Sequence, residues 1–412
     1  MAADNSARSA CPWSWLATAA IVGLVVRLVF SFAYWTHQPL TRDELEYLSL
    51  ARSLAAGHGF VYDEAMLTGS FVPFGRAPGY PAFLAAIGAG GDVVTEVPTT
   101  VKIAQSVVGA IGVVLVGVIG CRLGGPRAGR ATSAIAAVYP PLVWVAARVF
   151  SESLFWPAGL AIAWVFDRAL ERDNGTRDMA VAGVLTGLAV LVRPALIIFV
   201  ALAAVWLLMR RRPALAAVLV VGSLAVIGPW TARNYLVHHR LVLVASDGGI
   251  TFWTGNNAVA IGEGDLAANP DMRRAERALR AQYPGLSEEQ MEPIYYREAL
   301  AWMRAHPGAW MSLELRKFFY LIVPIGPSYT LHSSRFLIAS VVSYGAVATL
   351  AIMGWFRLGA GRRRATGVWL LALASVAVCL IFFPQERFRL PSIDPALVVL
   401  AGAAWTRREP GA

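Results

Sequence analysis

The chain has 412 residues, 57% of them hydrophobic and 15% charged, with a mean hydropathy of +0.55 and a formal net charge of +10. An ordinary soluble domain runs at about 45–50% apolar and about 25% charged residues, and disorder needs low hydrophobicity with high net charge; both classes are excluded. The cations gather in short clusters between apolar runs, which is a topological pattern rather than a nucleic-acid footprint, and no nucleic-acid partner is expected.

Apolar windows of about 20 residues recur along the whole sequence, which predicts an all-α polytopic membrane protein. The first, about Trp13 to Tyr34, is too long for a signal-peptide core and has no A-x-A site after it, so a retained anchor is expected. Trp13 and Trp15 at one end, with Tyr34 and Trp35 at the other, fit two interfacial aromatic belts. A long outer segment follows at about 36–98. Spans are then expected at about 100–121, 131–147, 150–168, 179–193, 194–209 and 214–230. A second outer segment covers about 231–334, and spans at about 335–357, 366–384 and 391–406 bring the total to about ten. The basic clusters set the orientation: Arg122, Arg127 and Arg130; Arg168, Arg172 and Arg177; Arg210 to Arg212; Arg357 with Arg362 to Arg364; Arg407 and Arg408. Placing all of them in the cytosol gives a consistent alternation with both termini inside.

Within the first outer segment, Thr41 and Glu44 form a capping box that predicts a helix start. Leu45, Leu48 and Leu54 share one face of that helix, and Gly57-His58-Gly59 stops it. The stretch Pro78 to Gly91, about 14 residues, is too short to cross a bilayer about 30 Å thick and predicts a helix lying at the interface. Leu313 to Val323, interrupted by Arg316 and Lys317, is expected to be interfacial or re-entrant. The organisation is thus a module at 1–235 with its outer loop 36–98, an extracytoplasmic segment at 236–334, and C-terminal spans at 335–412.

Ionisable groups near apolar runs cost about 2.5–3.5 kcal/mol at a span centre, so each needs a reason. Here they converge on one membrane side: Asp43, Glu44 and Arg76, then Glu152 beside Arg148, Arg193, Arg233, Arg387 and Arg389. Such a grouping describes a site for an anionic substrate at the outer leaflet. Two readings stay open for most of these residues. Asp43 and Glu44 suit a first helical turn, where anions are favoured, and Asp43 equally suits a general base for an acceptor hydroxyl. Arg76 is either solvated before a helix or forked onto a phosphate, and Arg387 and Arg389 either snorkel or bind the same group. Glu152 is a dipole partner or a working carboxylate. Arg27, inside the first span, is expected to be structural. The three cysteines, Cys11, Cys121 and Cys379, form no CxxC, and no disulfide framework or cysteine metal site is expected. The histidines are scattered, no cofactor is expected and no metal site is predicted, although Asp43 and Glu44 suit weak binding of a hard cation.

These residues fall into a known order. Asp43-Glu44-Leu45-Glu46-Tyr47 with Ala51 and Gly57-His58-Gly59-Phe60 is similar to a DExxY…A…GxGF pattern, and Arg76-Ala77-Pro78-Gly79-Tyr80-Pro81 to an RPPGYP-like stretch. Tyr139-Pro140-Pro141, Ser151-Glu152, Leu191-Val192-Arg193-Pro194, Pro229-Trp230-Thr231-Ala232-Arg233-Asn234-Tyr235, Gly255-Asn256-Asn257 and Arg387-Phe388-Arg389-Leu390-Pro391 complete the series. Each motif is weak singly, and the order over about residues 14–400 makes the set specific. The sequence resembles the bacterial branch of the membrane-embedded GT-C glycosyltransferases, the superfamily of protein O-mannosyltransferases and lipid A aminoarabinose transferases.

The resemblance implies a GT-C fold, a plasma-membrane location and an inverting transfer from a polyprenyl-phosphate sugar to a glycan, lipid or protein acceptor at the outer face. It implies that Asp43 is the base and that Arg76 contacts the donor phosphate; with these, Glu44 is expected to be catalytic and Arg387, Arg389 and Arg233 to hold the phosphate, because they converge on the same side. Tyr47, Tyr80, Glu152, Arg193 and Asn256 would bind substrate. One departure is Gly75, where aminoarabinose-type members carry Glu, and it leaves the second carboxylate open among Glu44, Asp63, Glu64 and Glu152. The competing class is a flippase or transporter of polyprenyl-linked lipid. Transporters place ionisable groups near the midplane of repeat-related broken helices, whereas these charges gather at one face and no repeat is visible.

Overall fold

A computed structural model of the chain describes residues 11–63, 75–91, 95–264, 266–323, 325–327 and 333–406. All regular structure among them is helical. The long first helix α1 (Trp13–Val29) continues into a π turn at Phe30–Tyr34, and α2 (Arg42–Ala55) and α3 (Gly79–Ala86) follow. Next come α4 (Thr99–Val138), α5 (Pro140–Trp144), α6 (Glu152–Glu171), α7 (Thr176–Val192), α8 (Ile197–Met209) and α9 (Pro213–His238). Three helices, α10 (Gly248–Gly255), α11 (Pro270–Ala281) and α12 (Glu288–Ala305), build a small body of their own before α13 (Pro307–Ile322). The chain ends with α14 (Ser334–Leu358), α15 (Thr366–Ile381), α16 (Glu386–Arg389) and α17 (Ile393–Ala403).

Each expected span overlaps helix, and among the described residues five helical stretches are by themselves long and apolar enough to cross a bilayer. Several ends differ by a few residues, and the largest difference lies between the second and third spans. The expected second and third spans form a single run, α4, broken only at Gly125, whose φ of 79° lets the chain reverse before Pro126. After the reversal the two arms of α4 pack closely, with Gly117 and Gly120 against Ser133 and Thr132, where a methyl group on either glycine would collide. The second arm stops at Val138 rather than 147, because Tyr139-Pro140-Pro141 removes donors and forces an extended residue.

Arg27 explains how that end survives in an apolar body. It is fully buried, and its guanidinium donates to the carbonyls of Ala136 and Ala137, both at 3.3 Å, and of Gly23 at 2.9 Å. The terminal carbonyls of a helix have no intrahelical partner, so a span arginine here does the work of a C-cap. Space for it comes from Gly109, where an added Cβ would lie 2.6 Å from Arg27 Nε.

The main core joins α4, α6, α7, α8, α15 and α17. A second, smaller core lies under α2 and α3, where Leu48 and Ala51 meet Tyr80 and Leu84. Helix α2 begins with the expected capping box and ends before Gly57 and Gly59, both at positive φ. Its acids Glu44 and Glu46 are completely buried, so it is enclosed more deeply than an amphipathic surface helix. A third core, built around Ile250, Met272, Met291 and Tyr295, holds α10–α12 together.

Replacing Arg27 by Met should leave the Ala136 and Ala137 carbonyls without donors and cost about 1–3 kcal/mol. Thermal unfolding in detergent checks this, and an unchanged transition would contradict the capping role.

Candidate functional site

The site starts with the first turn of α2. The Thr41 amide and hydroxyl both donate to Glu44 Oε2, at 2.7 and 2.8 Å. The same carboxylate accepts from Arg148 Nη2 at 2.5 Å and from the Val149 amide at 2.9 Å. Both oxygens of Glu44 are therefore engaged and shielded from solvent. It locks the start of α2 to the segment before α6, and the geometry gives it a positioning role rather than the expected catalytic one.

With the turn fixed, Asp43, Glu46 and Tyr47 share one face at spacings of three and four residues. Arg76 meets all three. Its guanidinium lies 2.7 Å from Asp43, 2.5 Å from Glu46 and 3.8 Å from Asp247, and it stacks over Tyr47 with 5.2 Å to the ring centroid. The loop carrying it is held by the Ser246 amide, which donates to the Gly75 carbonyl at 3.0 Å, and side-chain space at residue 75 is already taken by Ser246. A side chain at that position would require the Ser246 hydroxyl to rotate away.

The second grip on Asp43 comes from over 300 residues further along the chain. Arg387, on the short helix α16, lies 2.7 Å from Asp43 Oδ2 and between the rings of Phe150 and Phe388, at 5.0 and 5.2 Å. Arg387 also faces Glu152 at 4.0 Å, and Glu152 pairs with Arg193 at 2.6 Å. The result is a continuous chain of alternating charges, Arg193–Glu152–Arg387–Asp43–Arg76–Glu46, drawn from five separate parts of the sequence. Arg193 additionally lines an apolar cleft with Phe155, Leu196, Val378, Phe388 and Pro391.

Burial pushes the Asp43 carboxyl up, but Arg76 and Arg387 together outweigh it and hold the group below its ordinary value. Burial pulls the Arg76 guanidinium down, and the surrounding carboxylates more than reverse that, so it stays charged. Glu46 is pushed up by burial and by the negative charge of Asp43, against the pull of Arg76. Burial likewise raises Asp247. The site thus holds one carboxylate kept firmly ionised between two others whose charge is disfavoured.

Several expected residues stand elsewhere. Arg389 is buried and pairs with Asp394 at 3.2 Å, over the ring of Tyr344, while Tyr139 donates to the same carboxylate at 3.1 Å. Only two residues from Arg387, it points into the helix packing and not toward Asp43, because α16 turns the two side chains apart. Asn256 is also buried, donating to the Phe252 and Ile381 carbonyls at 2.8 and 2.9 Å and accepting from Lys317 at 3.0 Å. It ties α10 to α13 and α15. Tyr80 is fully buried and spends its hydroxyl on Gln105 at 2.8 Å, with its ring edge on Tyr47 at 4.9 Å. It forms the wall behind Tyr47. Arg233 lies over Trp230 and Phe60, at 4.9 and 5.8 Å, outside the charge chain. Asp63 pairs with Arg52 at 2.9 Å, and Glu64 lies outside the described residues. Two residues were missed by the sequence reading, Glu46 and Asp247. Glu46 was legible in principle as the i+3 neighbour of Asp43, whereas nothing local marked Asp247. Among the described residues no cluster of three or more His, Cys, Asp or Glu side chains is suited to a metal; the acids gather around a guanidinium instead.

Residues 77–232 match the family described as dolichyl-phosphate-mannose-protein mannosyltransferase. The fold is similar to that of ArnT from Cupriavidus metallidurans, solved bound to undecaprenyl phosphate, with a TM-score of 0.57 at 16% identity over 96% of this chain and 60% of that one. It is also similar to the oligosaccharyltransferase AglB from Archaeoglobus fulgidus, solved with an inhibitory peptide and a dolichol-phosphate, at TM-score 0.52 and 12% identity over 95% of this chain and 50% of that one. The chain therefore spans only about half to three fifths of the length of these proteins. No curated protein sequence matches it significantly. What these likenesses show is the fold: an all-helical, multi-pass membrane architecture of the GT-C type, as expected from the sequence.

Substituting Glu44 by Ala leaves Arg148 buried without its partner, a change that costs about 3–5 kcal/mol. Glu44→Ala should therefore lower the thermal transition sharply, and a wild-type transition would remove Glu44 from its tethering role.

Proposed function

We propose that the protein is a glycosyltransferase that moves a sugar from a polyprenyl-phosphate donor to an acceptor hydroxyl at the extracytoplasmic face of the plasma membrane. The observation that carries this reading is the double grip of Arg76 and Arg387 on Asp43. Two guanidinium groups converging on one carboxylate form a ready anion site, since each offers paired donors that match phosphate oxygens. The basic clusters Arg210 to Arg212 and Arg362 to Arg364 lie at span ends away from this group, and that polarity supports an extracytoplasmic site. The catalytic module is residues 1–235, completed by Asp247 from the segment 236–334 and by Arg387 from the C-terminal part 335–412.

The chemistry follows from the charges. The acceptor oxygen attacks the anomeric carbon, the bond from that carbon to the phosphate oxygen breaks with its electron pair, and configuration inverts in the single displacement. Negative charge grows on the departing phosphate, where Arg76 and Arg387 stabilise it in a site shielded from bulk water. The acceptor proton passes to Asp43. Without donor, Asp43 is a poor base because both arginines hold it ionised. A phosphate that engages those arginines weakens their hold on Asp43 and raises its basicity. The base is thus switched on by the donor, which limits futile activation of water in the empty site. Tyr47 stacks on Arg76 and orients it, and Glu152 with Arg193 keeps Arg387 in place.

Asp43→Asn should preserve expression and donor binding while lowering sugar transfer about 10²–10⁴-fold, the contribution typical of a positioned base. Undiminished transfer would refute that role. Arg76→Ala and Arg387→Ala should instead raise the donor KM, and unchanged donor affinity in both would place the phosphate elsewhere.

A further inference from the structure

Glu292 lies outside the charge chain but is built into its edge. The N-terminus of α10 rests on α12 through two glycines: a Cβ at Gly249 would lie 2.5 Å from the Glu292 carbonyl oxygen, and one at Gly248 would lie 3.3 Å from Glu292 Oε1. This close packing sets the Glu292 carboxyl beside the first turn of α10. The residue immediately before these glycines is Asp247, which faces Arg76 at 3.8 Å. Glu292, the start of α10, Asp247 and Arg76 therefore form one contiguous line from the α10–α12 body to the site.

We propose that Glu292 is a positioning residue that holds Asp247 against Arg76 and sets, by its own charge state, how strongly Arg76 is available to an incoming phosphate. The charged and titratable groups facing it are Asp247 from the start of α10, Glu289 and Tyr296 from its own helix, and, through Glu289, His238 at the end of α9, 3.5 Å away. No cation faces Glu292 directly among these, since His238 reaches only Glu289. Burial first, and then the charge of Asp247, push the Glu292 carboxyl up to about 7. Below that pH it is neutral and adds no charge beside Asp247. Above it, a second negative charge beside Asp247 presses that carboxylate onto Arg76 and repels the donor phosphate; both effects weaken phosphate binding. Stability moves with the same sign: the folded state keeps a proton that the unfolded chain releases, so stability is lost as pH rises through about 7.

This inference rests on the reading of Arg76 as a phosphate ligand, and its test separates the two. The full chain in nanodiscs is titrated with polyprenyl phosphate, without sugar or acceptor, at about pH 6 and about pH 8. A phosphate monoester has its own second pKa near about 6, which affects every variant alike, so the comparison is between wild type and Glu292→Gln. Wild-type affinity should fall about three- to ten-fold more across this range than that of the variant. Infrared difference spectra should show a carboxyl band that disappears with a midpoint of about 7 and is missing in Glu292→Gln. Identical pH dependence of binding in the two proteins, or no such band, overturns the role of Glu292 and leaves the transferase reading standing. Binding that is lost in neither Arg76→Ala nor Arg387→Ala overturns the phosphate reading, and with it the inference, whatever the band does.

Discussion

The carboxylate of Asp43, partly withdrawn from solvent and shared between Arg76 and Arg387, is the contact around which this end of the molecule is arranged. Charges cannot leave water without partners, and the desolvation cost is met only by close, well-oriented counter-charges. Here that requirement joins segments far apart in sequence: the start of α2, the loop before α3, the turn into α6, the end of α7, the start of α10 and the short helix α16. None of these elements could shift alone without stranding a charge. The rigidity of the site is therefore a consequence of its burial.

The same rule governs the apolar body. Backbone and side-chain polar groups that water cannot reach are satisfied one by one. Arg27 caps the broken second arm of α4, Asp394 is shared by Arg389 and Tyr139, and Asp167 accepts the Gly367 amide at 2.8 Å near the start of α15. Lys317 binds Asn256, Glu314 and the Leu380 carbonyl, fastening α13 to α10 and α15. These groups look like site residues in the sequence because an ionisable side chain in an apolar run is conspicuous whatever it does.

That explains what was and was not legible. Apolar windows located the spans, and the capping box located the start of α2, because both signals are local. Asp43 and Arg76 stood out through ordered motifs, and the structure brings them together. Glu44 was read as catalytic because a capping residue and a working acid have the same chemistry; only its engagement by Arg148 and Val149 separates them. Arg387 and Arg389 were indistinguishable two residues apart, since the direction of each depends on a four-residue helix whose register is set by tertiary packing. Asp247 carried no signal at all, for its closeness to Arg76 arises from the pairing of Ser246 with Gly75.

The proposed function stands on where a lipid phosphate binds. The direct measurement is a cryo-electron microscopy structure of the full chain with polyprenyl phosphate in a lipid nanodisc. The account predicts phosphate density within hydrogen-bonding distance of both Arg76 and Arg387, with at least one of them drawn away from Asp43. Phosphate density bound elsewhere, with both arginines still closed on Asp43, would contradict it.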